Sequence, residues 1–251
     1  MIMWPFDSED DKRIKRIVSN VVKFAVENLE NKGLISLYVA GTILTRDRTP
    51  HSDIDIFGIV ESNFDFNEEN RINALFDAKK QELCGGIETR FRGIPICSLE
   101  GGEQKGVIKF FKPERFIKKL PFFKHVWGKK FNFYKDFPIK PISLKEEALL
   151  LIEQIESSVK ALRANLERFP FQDFPKHVIE LIRVEAQKEY GFKFDPSYIA
   201  LSRHLRNKEG HIIHKAMELK NKRCTRNEII EFCNEVERYI YDLKKRVKEW
   251  T

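Results

Sequence analysis

Asp53 and Asp55, with Ile54 between them, are the residues of this chain whose type and spacing best suit chemistry. In a strand, residues two apart point to one face, so the two carboxylates project side by side while Ile54 and Ile56 turn to the core. Their Cα atoms would stand roughly 6.6 Å apart at a rise of about 3.3 Å per residue. Carboxylates so spaced can converge on a pair of Mg²⁺ ions about 3.5–4 Å apart, the arrangement of two-metal phosphoryl chemistry. Magnesium takes hard oxygen ligands and leaves its other positions to water and substrate phosphates. Taken alone, Asp-Ile-Asp reads equally well as the polar start of a strand.

The surrounding stretch, Leu37 to Val60, decides between these readings. Leu37–Ala40 is apolar and β-prone, and Gly41-Thr42 breaks it where backbone can approach a phosphate without a Cβ in the way. A polar run containing Pro50 leads to the Asp-Ile-Asp strand. Gly41-Thr42, ten intervening residues and Asp53-Ile54-Asp55 resemble the signature of the DNA polymerase β-type nucleotidyltransferase superfamily: Gly-Ser, about ten residues, then Asp, an apolar residue, and Asp or Glu. Thr42 replaces the usual Ser and keeps its hydroxyl. Arg46 and Ser52 stand where smaller members of that superfamily often have them. The resemblance implies that Gly41, Thr42, Arg46 and Ser52 hold a nucleoside triphosphate. It also implies that Asp53 and Asp55 bind Mg²⁺, two ions with nucleotide present, for attack of an acceptor hydroxyl on the α-phosphorus.

The superfamily's third carboxylate usually lies on a strand following the Asp-Ile-Asp strand. Glu88 is the candidate here, on the polar face of an alternating run with Arg90 and Arg92; a surface partner of those arginines is a reading of equal weight. If Ile94–Leu99 is instead the cognate strand, Cys97 stands where an acid would be wanted, and the site has two carboxylates.

Composition bounds the remaining classes. The chain's 251 residues can bury a full core and hold one large or two modest domains. Cys84, Cys97, Cys224 and Cys233 form no zinc pattern and no disulfide scaffold, so a reduced, cytoplasmic protein is the expectation. No apolar run is long enough for a membrane span, and the acidic start is not a secretory signal. With 45 basic against 38 acidic residues the net charge is +7, which suits nucleotides or RNA. A Lys- and Glu-rich surface with few glycines also fits a thermophile's ion-pair surface.

The elements that would carry the site follow from periodicity. Residues 9–32 read as a helix capped by Ser8 or Asp7, with an apolar stripe through Ile14, Ile17, Val18, Val21, Val22 and Ala25. Leu34–Ala40 begins the sheet, and Asn67–Leu83 reads as a second helix. Ile87–Arg92 and Ile94–Leu99, divided by Gly93, read as a hairpin completing a mixed sheet. Between Gly101 and Pro141, lysines interleave with phenylalanines. A stacking platform for single-stranded nucleic acid is one reading. Burial of Phe110, Phe111, Phe116, Phe122 and Phe123 under lysine stems is the favoured one. A helix near Pro113–Leu120 and a strand near Phe131–Tyr134 are expected.

From Ser143 onward the pattern is helical. Ser143 with Glu146, and Thr225 with Glu228, make capping boxes. Helices near 174–190, 196–220 and 225–250 complete an antiparallel bundle. A bundle behind a small nucleotidyltransferase domain is similar to the aminoglycoside nucleotidyltransferases and to paired minimal nucleotidyltransferase and HEPN proteins. Arg206 and His211, with four residues between them, resemble the metal-independent ribonuclease motif of HEPN domains. An imidazole suits acid–base work, but Gly210 breaks helices, and positions five apart lie about 140° apart on one. Surface or interface roles are the plainer reading for Arg206 and His211, as for His204 and His214.

The expectation is therefore an α+β protein: residues 1–140 a nucleotidyltransferase domain with a small mixed sheet and flanking helices, residues 141–251 an all-α bundle. Its substrate would be a nucleoside triphosphate, ATP by default. The acceptor hydroxyl is left open among a small molecule, an RNA end and a protein side chain, and the resembling families imply a homodimer as one arrangement. A nucleotide-binding protein with a decayed site and a HEPN-like ribonuclease are the alternatives.

Overall fold

A computed structural model describes residues 8–45, 47–48, 52–109, 112–164, 171–220, 222 and 224–251. The chain divides into two compact units, Met1–Pro141 and Ile142–Thr251.

The first unit is built on a four-stranded sheet of order β3-β2-β1-β4, with β1 Leu34–Ala40, β2 Ile54–Val60, β3 Thr89–Pro95 and β4 Lys124–Gly128. β1 runs antiparallel to both β2 and β4, whereas β3 runs parallel to β2. A parallel neighbour needs a crossover, which α2 (Phe66–Ala78) and α3 (Lys80–Cys84) supply. Helix α1 (Glu9–Leu29) opens the unit, and Ser8 with Asp11 forms the capping box at its start. One face of the sheet presents Leu37, Val39, Ile54, Ile56 and Phe91 to Ile14, Val18, Val21, Ile72 and Phe76 of α1 and α2. The other face carries Tyr38, Ile59 and Ile94 under Ile108, Phe116, Ile117, Phe131 and Phe133.

Three expectations are corrected in this unit. The hairpin over residues 87–99 does not form: residues 89–95 are one strand, and Ile96–Leu99 coil into α4. Gly93, read from sequence as a turn, sits inside β3, where an added Cβ would come within 3.2 Å of Glu69 Oε2. The glycine answers to close packing there. The helix over 67–83 is two helices, broken at Lys79, and nothing in the local sequence marks the break. The last strand is Lys124–Gly128, and Phe131–Tyr134 is not a strand. Phe116, Phe131, Phe133 and Phe137 are buried, with Phe122 and Phe123 half-buried, which favours the core reading of the Lys- and Phe-rich stretch. Phe110 and Phe111 lie outside the described residues. Helix α5 covers Pro113–Lys119.

The second unit packs α6 (Leu144–Ala164), α7 (Phe174–Glu189), α8 (Tyr198–His204), α9 (Ile213–Leu219) and α10 (Arg226–Glu249) around one apolar core. Both expected capping pairs are present, Ser143 with Glu146 and Thr225 with Glu228. The helix expected over 196–220 is the two short helices α8 and α9, with Gly210 at φ +69° in the segment between them. Among the described residues, no helix is long and apolar enough to cross a membrane.

Candidate active site

β2 delivers the two aspartates. Asp53 immediately precedes the strand and is exposed; Asp55 is its second residue and is half-buried. Asp55 pairs with Ala40 at the end of β1 and with Arg90 on β3, so it is flanked on both sides. Gly41 follows Ala40 with φ +89° and ψ −177°, a backbone conformation open essentially to glycine alone. A Cβ at Gly41 would stand 3.4 Å from Asp55 Oδ2. The Gly41 backbone therefore passes directly beside the carboxylate.

Thr42 then opens a 3₁₀ turn over Thr42–Leu44. Its Oγ1 lies 3.0 Å from Oγ of Ser52, which is itself buried just before Asp53. This hydroxyl pair joins the two ends of the loop that separates Gly41 from the aspartates. Within the loop, Asp47 N–H donates to Thr45 Oγ1 at 3.1 Å. Arg48 Nη2 donates to Asp10 and Asp11 at 2.7 Å each, tying the loop to the start of α1. Arg46 lies outside the described residues. The structure thus brings Gly41, Thr42, Ser52, Asp53 and Asp55 together through one strand end, one tight turn and one loop closure.

The third acidic position is different. Glu88 precedes β3 by one residue, and its carbonyl oxygen accepts the Ile54 N–H at 2.8 Å, which sets it across the ladder from Asp53. Its carboxylate is exposed and lies 3.2 Å from Arg90 Nη2. Arg90 donates in turn to Asp77 at 2.6 Å. Arg92, two residues on, brings Nε to 3.8 Å from Asp55 Oδ1. Cys97 is in α4 beyond the strand, so it does not occupy a ladder position beside the aspartates. The residues of β3 nearest Asp55 are thus arginines, a fact invisible until the register of β2 against β3 is known.

Helix α2 fixes β3 from its outer edge. Asn73 takes the place of a further strand, accepting the Phe91 N–H at 2.8 Å and donating to the Phe91 carbonyl at 3.0 Å. Glu69 accepts the Gly93 N–H at 2.7 Å. Burial pushes the Glu69 carboxyl above its ordinary pKa, against the opposing pull of the Gly93 N–H and the Arg92 charge. Edge strands need such cover, and here the cover also holds the arginines in register.

The other sequence candidates lie in the second unit. Arg206 is exposed in the turn after α8. His211 lies just before α9 and is largely withdrawn from solvent, its Nδ1 accepting the Ile213 N–H at 3.2 Å. The acceptor role of Nδ1 leaves the other nitrogen as donor, and Nε2 lies 3.3 Å from Oε2 of the buried Glu185. Tyr239 Oη donates to the same Glu185 oxygen at 2.6 Å, and Arg246 Nη2 to the other at 2.7 Å. Burial raises the Glu185 pKa, but the bonds from His211, Tyr239 and Arg246 outweigh it and leave the carboxyl below its ordinary value. Both ring nitrogens of His211 are thus engaged inside the bundle. His204 and His214 bond to the Tyr190 and Lys208 carbonyls.

No protein-family model and no curated protein sequence matches the chain. Among solved structures it resembles that of spectinomycin adenyltransferase AAD(9) from Enterococcus faecialis with ATP and spectinomycin. The two are 12% identical, with a TM-score of 0.60, over 90% of this chain and 99% of that one. At that identity the likeness shows a shared fold alone.

Proposed function

We propose that the first unit, roughly residues 1–140, is a nucleotidyltransferase domain that moves a nucleoside monophosphate from a triphosphate to an acceptor hydroxyl. The observation that carries this reading is the placement of Asp53 and Asp55 beside the Gly41 backbone and the Thr42–Ser52 hydroxyl pair, within a fold shared with an adenyltransferase. The acceptor attacks the α-phosphorus; the new O–P bond forms as the bond to the β-phosphate bridging oxygen breaks, and pyrophosphate leaves. Gly41 and Thr42 contact the triphosphate, which the Gly41 turn lets approach without steric hindrance. Ser52 holds the Thr42 hydroxyl in place. Glu88, across from Asp53, receives the acceptor's proton.

The donor set fits Mg²⁺. Two partly exposed carboxylates offer hard oxygens, and this ion is commonly held by one or two carboxylates plus substrate phosphates. Asp53 and Asp55 would hold the ion, and nucleotide phosphates would supply its further oxygen ligands. Bound there, the ion supplies positive charge to the phosphates. The nucleotide is ATP by default. A small hydroxylated molecule is the favoured acceptor, in keeping with the ATP and spectinomycin named with the similar structure.

A second reading is favoured by Arg92 beside Asp55: a nucleotide-binding protein without turnover. Incubation with each of the four α-labelled triphosphates, Mg²⁺ and a fractionated extract of metabolites, RNA and protein separates the two. Label in one fraction, absent with Asp53→Asn, supports transfer and identifies the acceptor class. Nucleotide binding without label supports the second reading. Neither binding nor label overturns both.

A further inference from the structure

We infer that Arg92 is a phosphate-binding residue of this site, and that it exchanges its hold on Asp55 for the triphosphate when metal and nucleotide arrive. The inference rests on the nucleotide reading of Asp53 and Asp55 and adds to it a residue on the neighbouring strand.

Arg92 projects from the same sheet face as Asp55, because Arg90 pairs with Asp55 and Arg92 with Phe57 in the parallel β2–β3 ladder. Its Nε lies 3.8 Å from Asp55 Oδ1, and its side chain is 42% exposed. An ion pair so long and so open is weakly held, and the guanidinium has further donors to offer. The two arginines of β3 differ in this respect. Arg90 is bound by Asp77 at 2.6 Å and by Glu88 at 3.2 Å, whereas Arg92 leans on the carboxylate that a metal ion would claim. Its backbone is steadied from the edge by Asn73 on Phe91 and Glu69 on Gly93.

A cation and a guanidinium compete for Asp55, since both neutralise the same oxygens. Once Asp55 turns to a metal, Arg92 is left beside phosphates that carry several negative charges. Its planar fork matches phosphate oxygens in a way an ammonium does not. Arg92 thus supplies positive charge beside Asp55, on the strand that follows Glu88. The expected consequence is opposite signs: Arg92 weakens metal alone and strengthens nucleotide.

The test uses the full chain, with Mn²⁺ alone read by electron paramagnetic resonance and the four nucleoside triphosphates read by calorimetry with Mg²⁺. Arg92→Gln is expected to bind Mn²⁺ at least about 3-fold more tightly and its best triphosphate about 10-fold or more weakly, an Arg–phosphate pair being among the stronger hydrogen-bonded contacts. Arg92→Lys should restore part of the nucleotide affinity, since it keeps charge but not the fork. Unchanged affinities for both ligands in a folded Arg92→Gln protein, judged by circular dichroism, overturn the inference and leave the nucleotide reading intact. Loss of affinity for both ligands makes Arg92 a support of the aspartates and also overturns it. A wild-type chain that binds no triphosphate overturns the nucleotide reading and the inference with it.

Discussion

Two carboxylate clusters, one in each unit, differ in how far they are withdrawn from water and how firmly they are bound. Asp53, Asp55 and Glu88 stand at strand starts, partly or wholly exposed, with arginines at 3.2 and 3.8 Å. Glu185 has a 1% exposed side chain and receives Tyr239, Arg246 and His211 together. Glu189 beside it takes Arg246 and the Trp250 indole N–H, joining α7 to the end of α10. A buried carboxylate must have its lone pairs filled or it destabilises the fold. An open one can stay loosely held and exchange partners. The same residue types therefore form a structural joint in one unit and, on the proposed reading, a ligand site in the other.

The largest effect that would test this contrast is on activity. Asp53→Asn is expected to lower nucleotidyl transfer by more than about 10²-fold, since even outer-shell partners of metal ligands are commonly worth about 10–100-fold. Because Asp53 is exposed, the urea midpoint of the same variant should match wild type. A large stability loss would place Asp53 among the structural acids and dissolve the contrast.

Arg246→Leu is the mirror experiment. Removing one partner of a buried ion pair typically costs about 3–5 kcal/mol, and Arg246 bonds both Glu185 and Glu189. With its own side chain 38% exposed, the low end, about 3 kcal/mol, is expected by urea unfolding. Triphosphate affinity under native conditions should be unchanged. A stability change below about 1 kcal/mol would make the network an ordinary surface ion pair.

Gly41→Ala lies between these extremes, since its backbone conformation is a property of the fold and its neighbour a property of the site. The strained φ and ψ should cost about 1–3 kcal/mol. The new methyl would stand in van der Waals contact with Asp55 Oδ2, at 3.4 Å from the ideal Cβ. Loss of nucleotide affinity together with stability is expected. Affinity retained at wild-type level would show that the turn does not face the phosphates.

How much of this contrast can be read without coordinates depends on how local its causes are. The pairing of Asp53 with Asp55 follows from strand periodicity, and Gly41 is where a β-prone run is cut. The α+β order follows from the change of apolar period after Pro141. Arg92 escapes such a reading, because its approach to Asp55 comes from a parallel register set across a crossover of two helices. Gly93 misleads for the same reason: in sequence it looks like a turn, and in the sheet it makes room for Glu69 and Phe64. For His211 the plainer sequence reading is a surface or interface residue, and only the fold sets Glu185, 26 residues earlier in the chain, against its ring.

The smallest effects are those of pH, and they separate two acids, the buried Glu185 and the half-buried Glu69, whose shifts are of opposite sign. Glu185 is held below its ordinary pKa of 4.5 in the folded chain. Its bonds therefore contribute stability that is present above about pH 4.5 and lost as the pH falls through its lower folded value. Glu69 is raised by burial, so the folded state holds its proton more tightly. Its contribution favours folding below about pH 4.5 and diminishes as the pH rises through the folded value. Glu69→Gln keeps an oxygen for the Gly93 N–H while removing the half-buried charge. It should raise the urea midpoint at pH 7 slightly, by less than Arg246→Leu lowers it, and flatten the decline above pH 4.5. Glu185→Gln should instead lower the midpoint at pH 7 and flatten the acid limb. If Glu69→Gln lowers the midpoint as well, the charge on Glu69 is needed beside Arg92, and this acid belongs with the open cluster rather than with the cover of β3.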